Sequence, residues 1–344
     1  MSLGSAGKMA RTSHGLPRVA REDAYRYEML AGDPILRVRP GEPFVVETED
    51  AFNGAISSGD RVPSPETLDP RPPNPCAGPV HVEGAMPGDV LAVDILDIVP
   101  ADQGAHCIFP GEGTLARSAA HPECHGPYAR IIRHVPGPSG TTSDGYGVFA
   151  DGVRWPLQPH IGTIGTAPRR PVAAGADTLM GQGRHGGNLD CRDVRRGCTI
   201  LLPVEVEGAC VYLGDVHASM SDGEWVGNAD ECRAEVTLQC RLLRTRISWP
   251  RVETPESIIQ LASGKPLEAA IRQAFLWLTD WLVEEQGFSS REAYMQLGVN
   301  PGVRIHVYQL VDLGRLGYTV GVAFPRHQLD RQSLEASARP GGAT

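Results

Sequence analysis

The sequence predicts an α+β protein that is predominantly β, with a β-sandwich or barrel-like body and a helical insertion near residues 255–298. Three observations predict it. Short β-branched runs recur from residue 35 to 250, each bounded by Gly, Pro or Asp. The 40 Gly and 29 Pro of this 344-residue chain supply that punctuation along its whole length. Helical periodicity, with a proline at its start and a glycine past its end, is confined to one region.

Residues 1–34 read as an N-terminal extension, disordered over "MSLGSAGK". Strands follow at "FVVET", "VHVEG", "DVLAVDILDIV", "ARIIRHV", "CTILLPVEVEG", "ACVYLGDVHA" and "AEVTLQCRLL", which make residues 35–250 a β-rich body expected to carry the chemistry. The proline-rich loop "RVPSPETLDPRPPNPCA" (61–77) is long enough to cover a site, and "PGPSGTTSDG" (136–145) is a second long loop. Residues 251–330 read as a helical segment with closing strands. "TPESIIQLASG" looks like a short helix, 266–287 a long one, and "SSREAYMQLG" a third with a serine cap. "VRIHVYQLVDL" and "YTVGVAFP" return to strand, and 331–344 read as a flexible tail. Two valine-rich segments share a VEGA tetrapeptide and a Gly-Asp-Val step, which shared turn chemistry explains about as well as duplication.

Composition excludes several classes. A net charge of −9 argues against a general nucleic-acid binder, which needs clustered basic residues. No run of eighteen apolar residues and no leader pattern is present, so the sequence predicts no membrane span and a cytoplasmic protein. Eight cysteines without a CxxC pair read as reduced, mostly buried thiols. Lysine occurs only at Lys8 and Lys265. Amide hydrolases with Cys-Glu-Lys or Ser-Ser-Lys sets need a lysine of tunable pKa, which arginine cannot replace.

Five stretches carry residues suited to chemistry. "GDVHASMSDGE" (214–224) sets Asp215 and His217 two apart at the end of an apolar strand, with Asp222 and Glu224 in the turn. Period two puts Ala209, Val211, Leu213, Asp215 and His217 on one face, so that Asp215 and His217 emerge together at the rim. Such a pair can bind one divalent metal or simply stabilise the turn. In "GQGRHGGNLD" (181–190), Gly186 and Gly187 can aim two N–H groups at one oxygen, and His185, Asn188 and Asp190 add a base, an amide and a carboxylate. Asp50 in "ETEDAFNGA" opens an Asx turn. His121, Cys124 and His125 are close in sequence but have no second ligand pair. His160 stands beside a glycine pair in "PLQPHIGTIGTAP", a connection suited to lining a pocket.

Taken in order, "TEDAFNGAI", "GPVHVEGAMPGDVLAVDILDI", "PHIGTIGTAP" and "HGGNLDCRDVRRGCTILLPVEVEGACVYLGDVHASMSDGE" resemble the acetamidase/formamidase family over roughly residues 35–330. The combination of GGN-x-D, G-D-x-H-A and D-G-E is the specific part. "SMSDGE" and "NADE" depart from the family's usual residues, and its tryptophan-rich loop is not visible near "AHCIFPGEG".

The resemblance implies a hydrolase that splits a carboxamide to a carboxylate and ammonia, with a divalent metal (zinc, or calcium) and as a homo-oligomer. Within that reading, the residues suggest His217, Asp215 and a carboxylate from elsewhere in the chain, Asp50, as the metal ligands. Glu224 or Glu231 would move the proton, with His185 as a further candidate base. Gly187, Asn188, Asp190 and His160 would meet the substrate. Two alternatives stand beside it: a cysteine hydrolase using Cys191, Cys124 or Cys232 with His185 or His125, and a non-enzymatic binding or assembly protein stabilised by metal. The loop at 104–114 offers one aromatic, Phe109, which predicts a roomy entrance and a substrate larger or more polar than formamide.

Overall fold

A computed structural model describes residues 15–58, 64, 68, 70–169, 178–311 and 316–329. Among them, strands dominate and form a nine-stranded and a ten-stranded sheet, with α-helices at Leu267–Glu284 and Ser290–Val299. The sheets face each other. Phe44, Val46, Leu91, Val93, Val236 and Leu238 from the first sheet pack in one core with Val80, Val82, Ile161, Ile164, Val211 and Leu213 from the second. This is the sandwich that the alternating runs predict.

The helices cover the outer face of the first sheet. In strand Ser257–Gly264, Ile259 and Leu261 enter the sandwich core while Ile258 and Ala262 face the helices. With both faces buried, "SIIQLA" shows no polar alternation, which is why its sequence reads as a helix; it is a strand. It and the strands Arg304–Gln309 and Tyr318–Pro325 extend the sheet that strand Thr199–Pro203 already belongs to, so the sheet is continuous across residue 250. The helix Ser290–Val299 starts in the expected way: Ser289 and Glu292 form a reciprocal capping box.

Part of the N-terminal extension is ordered. Arg18–Val19 pairs in parallel with strand Pro43–Thr48. Residues 1–14 and 331–344, which include the expected disordered start and the whole of the expected tail, lie outside the described residues. The two VEGA turns meet each other, with Val82 N donating to Gly208 O and Gly208 N to Ala85 O, each at 2.9 Å.

Candidate active site

Two antiparallel strands build the site, His160–Thr166 and Val211–His217, with His160 opposite His217. Each breaks its alternation once. Val211 and Leu213 enter the core, but so do Val216 and Ala218. Asp215 has a left-handed φ of 55°, and this residue inverts the parity. Facing it is Gly162, where a Cβ would lie 2.7 Å from the Asp215 carbonyl oxygen and 2.9 Å from the His217 ring. The expected single face from Ala209 to His217 is therefore corrected. Asp215 and His217 do come together, but through a break in the strand, and neither is at a solvent rim: they are 3% and 0% exposed.

A relay of hydrogen bonds fixes the His217 tautomer. His160 Nδ1 lies 3.0 Å from the Gln158 carbonyl oxygen, which can only accept, so Nδ1 carries the proton. Burial, with the His217 charge adding, holds the His160 pKa well below the ordinary imidazole range and keeps the ring neutral. His160 Nε2 then accepts from His217 Nδ1 at 3.2 Å. The lone pair of a neutral His217 is left on Nε2, 3.5 Å from Asp215 Oδ1 and 3.4 Å from Glu231 Oε2. A lone pair facing two carboxylate oxygens in a buried site is repulsive unless something positive lies between them.

The surrounding carboxylates are held individually. Asp215 Oδ2 and Asn188 Oδ1 compete for the Thr163 hydroxyl at 3.1 and 2.5 Å. Asn188 Nδ2 donates to Asp190 Oδ2 at 2.9 Å, and Glu231 Oε1 accepts from the Ala229 amide at 2.7 Å. Among the described residues, Asp190 Oδ1, His217 Nε2 and Glu231 Oε2 are buried with no hydrogen-bond partner. Two sets of potential metal donors lie within 4.8 Å of one another, Asp190/His217/Glu224 and Asp215/His217/Glu231.

Burial pushes Asp190 up to about 7, with the Asp215 charge adding. Burial first, then the Asp190 charge, raises Glu224 well above the carboxylate range. Glu231 is raised well above it by burial, with His217 opposing and Asp215 adding. Desolvation alone would depress His217, but Glu231, Asp215 and Asp190 outweigh it and raise the imidazolium well above its usual range. These directions agree on one point: four carboxylates around one imidazole are short of positive charge.

A cavity of about 280 Å³ opens onto the cluster, lined by Asp215, Glu224, Glu231 and Asn188 and walled by Phe52 and Phe109, whose rings meet at 5.7 Å. Leu68, Arg71, Pro73 and Asn74 also line it, so the described part of the proline-rich loop does border the site.

Other expected site residues lie elsewhere. Asp50 is outside both donor sets; its Oδ1 accepts from the Phe52 and Gly54 amides at 2.9 Å, shaping the turn that carries Phe52. Burial, with Glu49 adding, raises Asp50 to about 6. His185 Nε2 bonds the Thr178 carbonyl oxygen at 2.8 Å, away from the cavity lining. Gly187 does not line the cavity either; a Cβ there would lie 2.2 Å from Gly181 O, so backbone packing explains its glycine. His160 backs His217 rather than lining the cavity, and Asp222 pairs outward with Arg192 at 2.6 Å.

Residues 121–125 form no donor set. For the cysteine alternative, no cysteine lines this cavity and burial pushes the Cys191 and Cys232 thiols well up, while the half-buried Cys124 lies in a separate pocket beside Trp225. Sequence reasoning missed Thr163, Asn74 and Gln309. Thr163 was within reach, three residues from His160 in the same strand.

Residues 32–174 and 170–328 match the model of the Acetamidase/Formamidase family. The acetamidase of Mycolicibacterium smegmatis is 31% identical over 54% of this chain and 57% of its own length. The formamidase of Methylophilus methylotrophus is 27% identical over 81% of this chain and 83% of its own. Among solved structures, the acetamidase from Bacillus halodurans superposes with a TM-score of 0.79 at 32% identity, covering 91% of this chain and 99% of that one. The acetamidase from Yersinia enterocolitica gives 0.79 at 31% identity, covering 93% and 94%.

Proposed function

Because the chain belongs to the acetamidase/formamidase family, we propose that Asp215, His217 and Glu231 hold a divalent metal, while Glu224 and Asp190 move the proton in amide hydrolysis. The protein is an amidohydrolase that splits a linear carboxamide to a carboxylate and ammonia.

The observation that carries the metal reading is the unpartnered His217 Nε2 facing two carboxylate oxygens. Donors about 2.1 Å from one ion at tetrahedral angles lie roughly 3.4 Å apart. The distances of 3.4 and 3.5 Å fit that spacing. An imidazole among the donors favours zinc over calcium. When bound, such an ion supplies Lewis acidity and brings a water to a pKa of about 7.

The chain's own residues do the rest. Glu224 lines the cavity beside Asp190, and its raised pKa suits a group that takes the proton from the attacking water and returns it to the leaving nitrogen. Asn188 is anchored through Thr163 and Asp190. Its amide has a second hydrogen to offer the carbonyl oxygen as negative charge develops there. His160 positions His217 and sets its tautomer.

His160→Phe keeps the ring but removes the acceptor for His217 Nδ1. It is expected to weaken metal affinity about 10- to 100-fold, read by competition with a coloured chelator, with a native circular-dichroism spectrum. Wild-type affinity in that variant would mean the relay does not tune His217.

No helix among the described residues is long and apolar enough to cross a membrane. Cytoplasmic residence and homo-oligomeric assembly belong to the same proposal. The first is supported by eight free cysteines, the second by exposed Tyr294, Met295 and Val299 on the outer helix.

A further inference from the structure

Gln309 ends the strand Arg304–Gln309 and lines the same cavity as the carboxylate cluster. It is 1% exposed, and among the described residues neither its Oε1 nor its Nε2 has a hydrogen-bond partner. Burying both ends of a carboxamide unpaired is costly, so such a group in a native fold calls for a ligand or an ordered water. Its position is well defined by the backbone: the next residue, Leu310, donates its amide to Gly223 O at 3.0 Å, tying this strand end to the loop that carries Glu224.

Two other amides lining the cavity are already paired. Asn228 bonds both the amide and the carbonyl of Cys107, and Asn53 bonds Tyr27 and the Pro72 carbonyl oxygen.

Size points the same way. A cavity of about 280 Å³ holds roughly nine water-sized atoms at about 30 Å³ each, whereas acetamide has four heavy atoms. We propose that Gln309 is a specificity residue that pairs with a second hydrogen-bonding group, one that both donates and accepts, on a carboxamide larger than acetamide. This rests on the amidase reading. The substrate's scissile amide lies at the cluster, and its second polar group, a carboxamide being the closest complement, meets the Gln309 amide across two hydrogen bonds. A site built with such a partner discriminates strongly against an analogue lacking it, because the buried amide is then left unpaired.

The test compares malonamide with 3-methylbutanamide, an apolar amide of matched size and shape, on wild-type protein and on Gln309→Leu. The expected result is that the ratio of kcat/KM for malonamide over 3-methylbutanamide falls at least tenfold in the variant. The variant should also melt about two degrees or more above wild type, because leucine removes the unpaired polar atoms. An unchanged ratio overturns the proposal, and so does a lowered Tm with an unchanged ratio, which would make Gln309 a structural residue. Gln309→Met repeats the comparison should the leucine variant fail to fold.

If wild-type protein releases ammonia from no amide, the amidase reading fails separately, and thermal shift still decides Gln309. Malonamide must then raise the Tm of wild type more than that of Gln309→Leu, and equal shifts overturn the proposal.

Discussion

Purified His217→Ala protein is expected to lose bound metal and amide turnover together, with turnover down on the order of a thousandfold or more. His217 is the one residue common to both donor sets, and with its Nδ1 donating to His160 a neutral ring carries its lone pair on Nε2. The fold should survive, because the core at this strand is built by Val211, Leu213, Val216 and Ala218, not by the imidazole. The variant's carboxylates can hold protons in place of a cation, at the cost of chemistry rather than of packing. Elemental analysis of the folded variant checks this. Full metal content would remove His217 from the ligand set, and a lower Tm with intact metal would make it a structural histidine.

The two glutamates should separate into different defects. Glu231 has Oε1 tied to the Ala229 amide and Oε2 unpartnered toward His217, the arrangement of a fixed ligand. Glu224 lines the cavity and is raised by burial and by Asp190, the arrangement of a proton carrier. Glu231→Gln is therefore expected to lose metal. Glu224→Gln should keep metal and lose on the order of a hundredfold or more in kcat. The reverse pattern would exchange the two roles. Wild-type kinetics in both variants would send the proton elsewhere.

Much of this was legible in the sequence where chemistry and local pattern coincide. Strands such as Ala234–Leu243 show period two plainly and fold accordingly. "SIIQLASG" does not, because both of its faces are buried and its apolar run has no polar side to reveal the period. At the site, Asp215, His217, Asn188, Asp190, Glu224 and Glu231 are titratable or amide residues grouped in a few motifs, and the structure brings them together.

The expected residues that lie outside the cluster share a different feature. Asp50, His185 and Gly187 have the right chemistry, yet a local turn or close backbone packing already accounts for each. Thr163 and Gln309 are neutral and stand alone in the sequence, so only strand pairing and the end of a distant strand reveal them. The left-handed residue at Asp215, which lets it share a site with His217 while Val216 turns to the core, leaves no mark in a one-dimensional pattern.

The most direct test of a metal amidase centred on His217 is one titration on one preparation. Bound metal per chain and ammonia released from acetamide and malonamide are measured as a chelator strips the protein and again as zinc is returned. The account predicts that both fall together and recover together, with activity proportional to occupancy. Full activity in metal-free protein would contradict it.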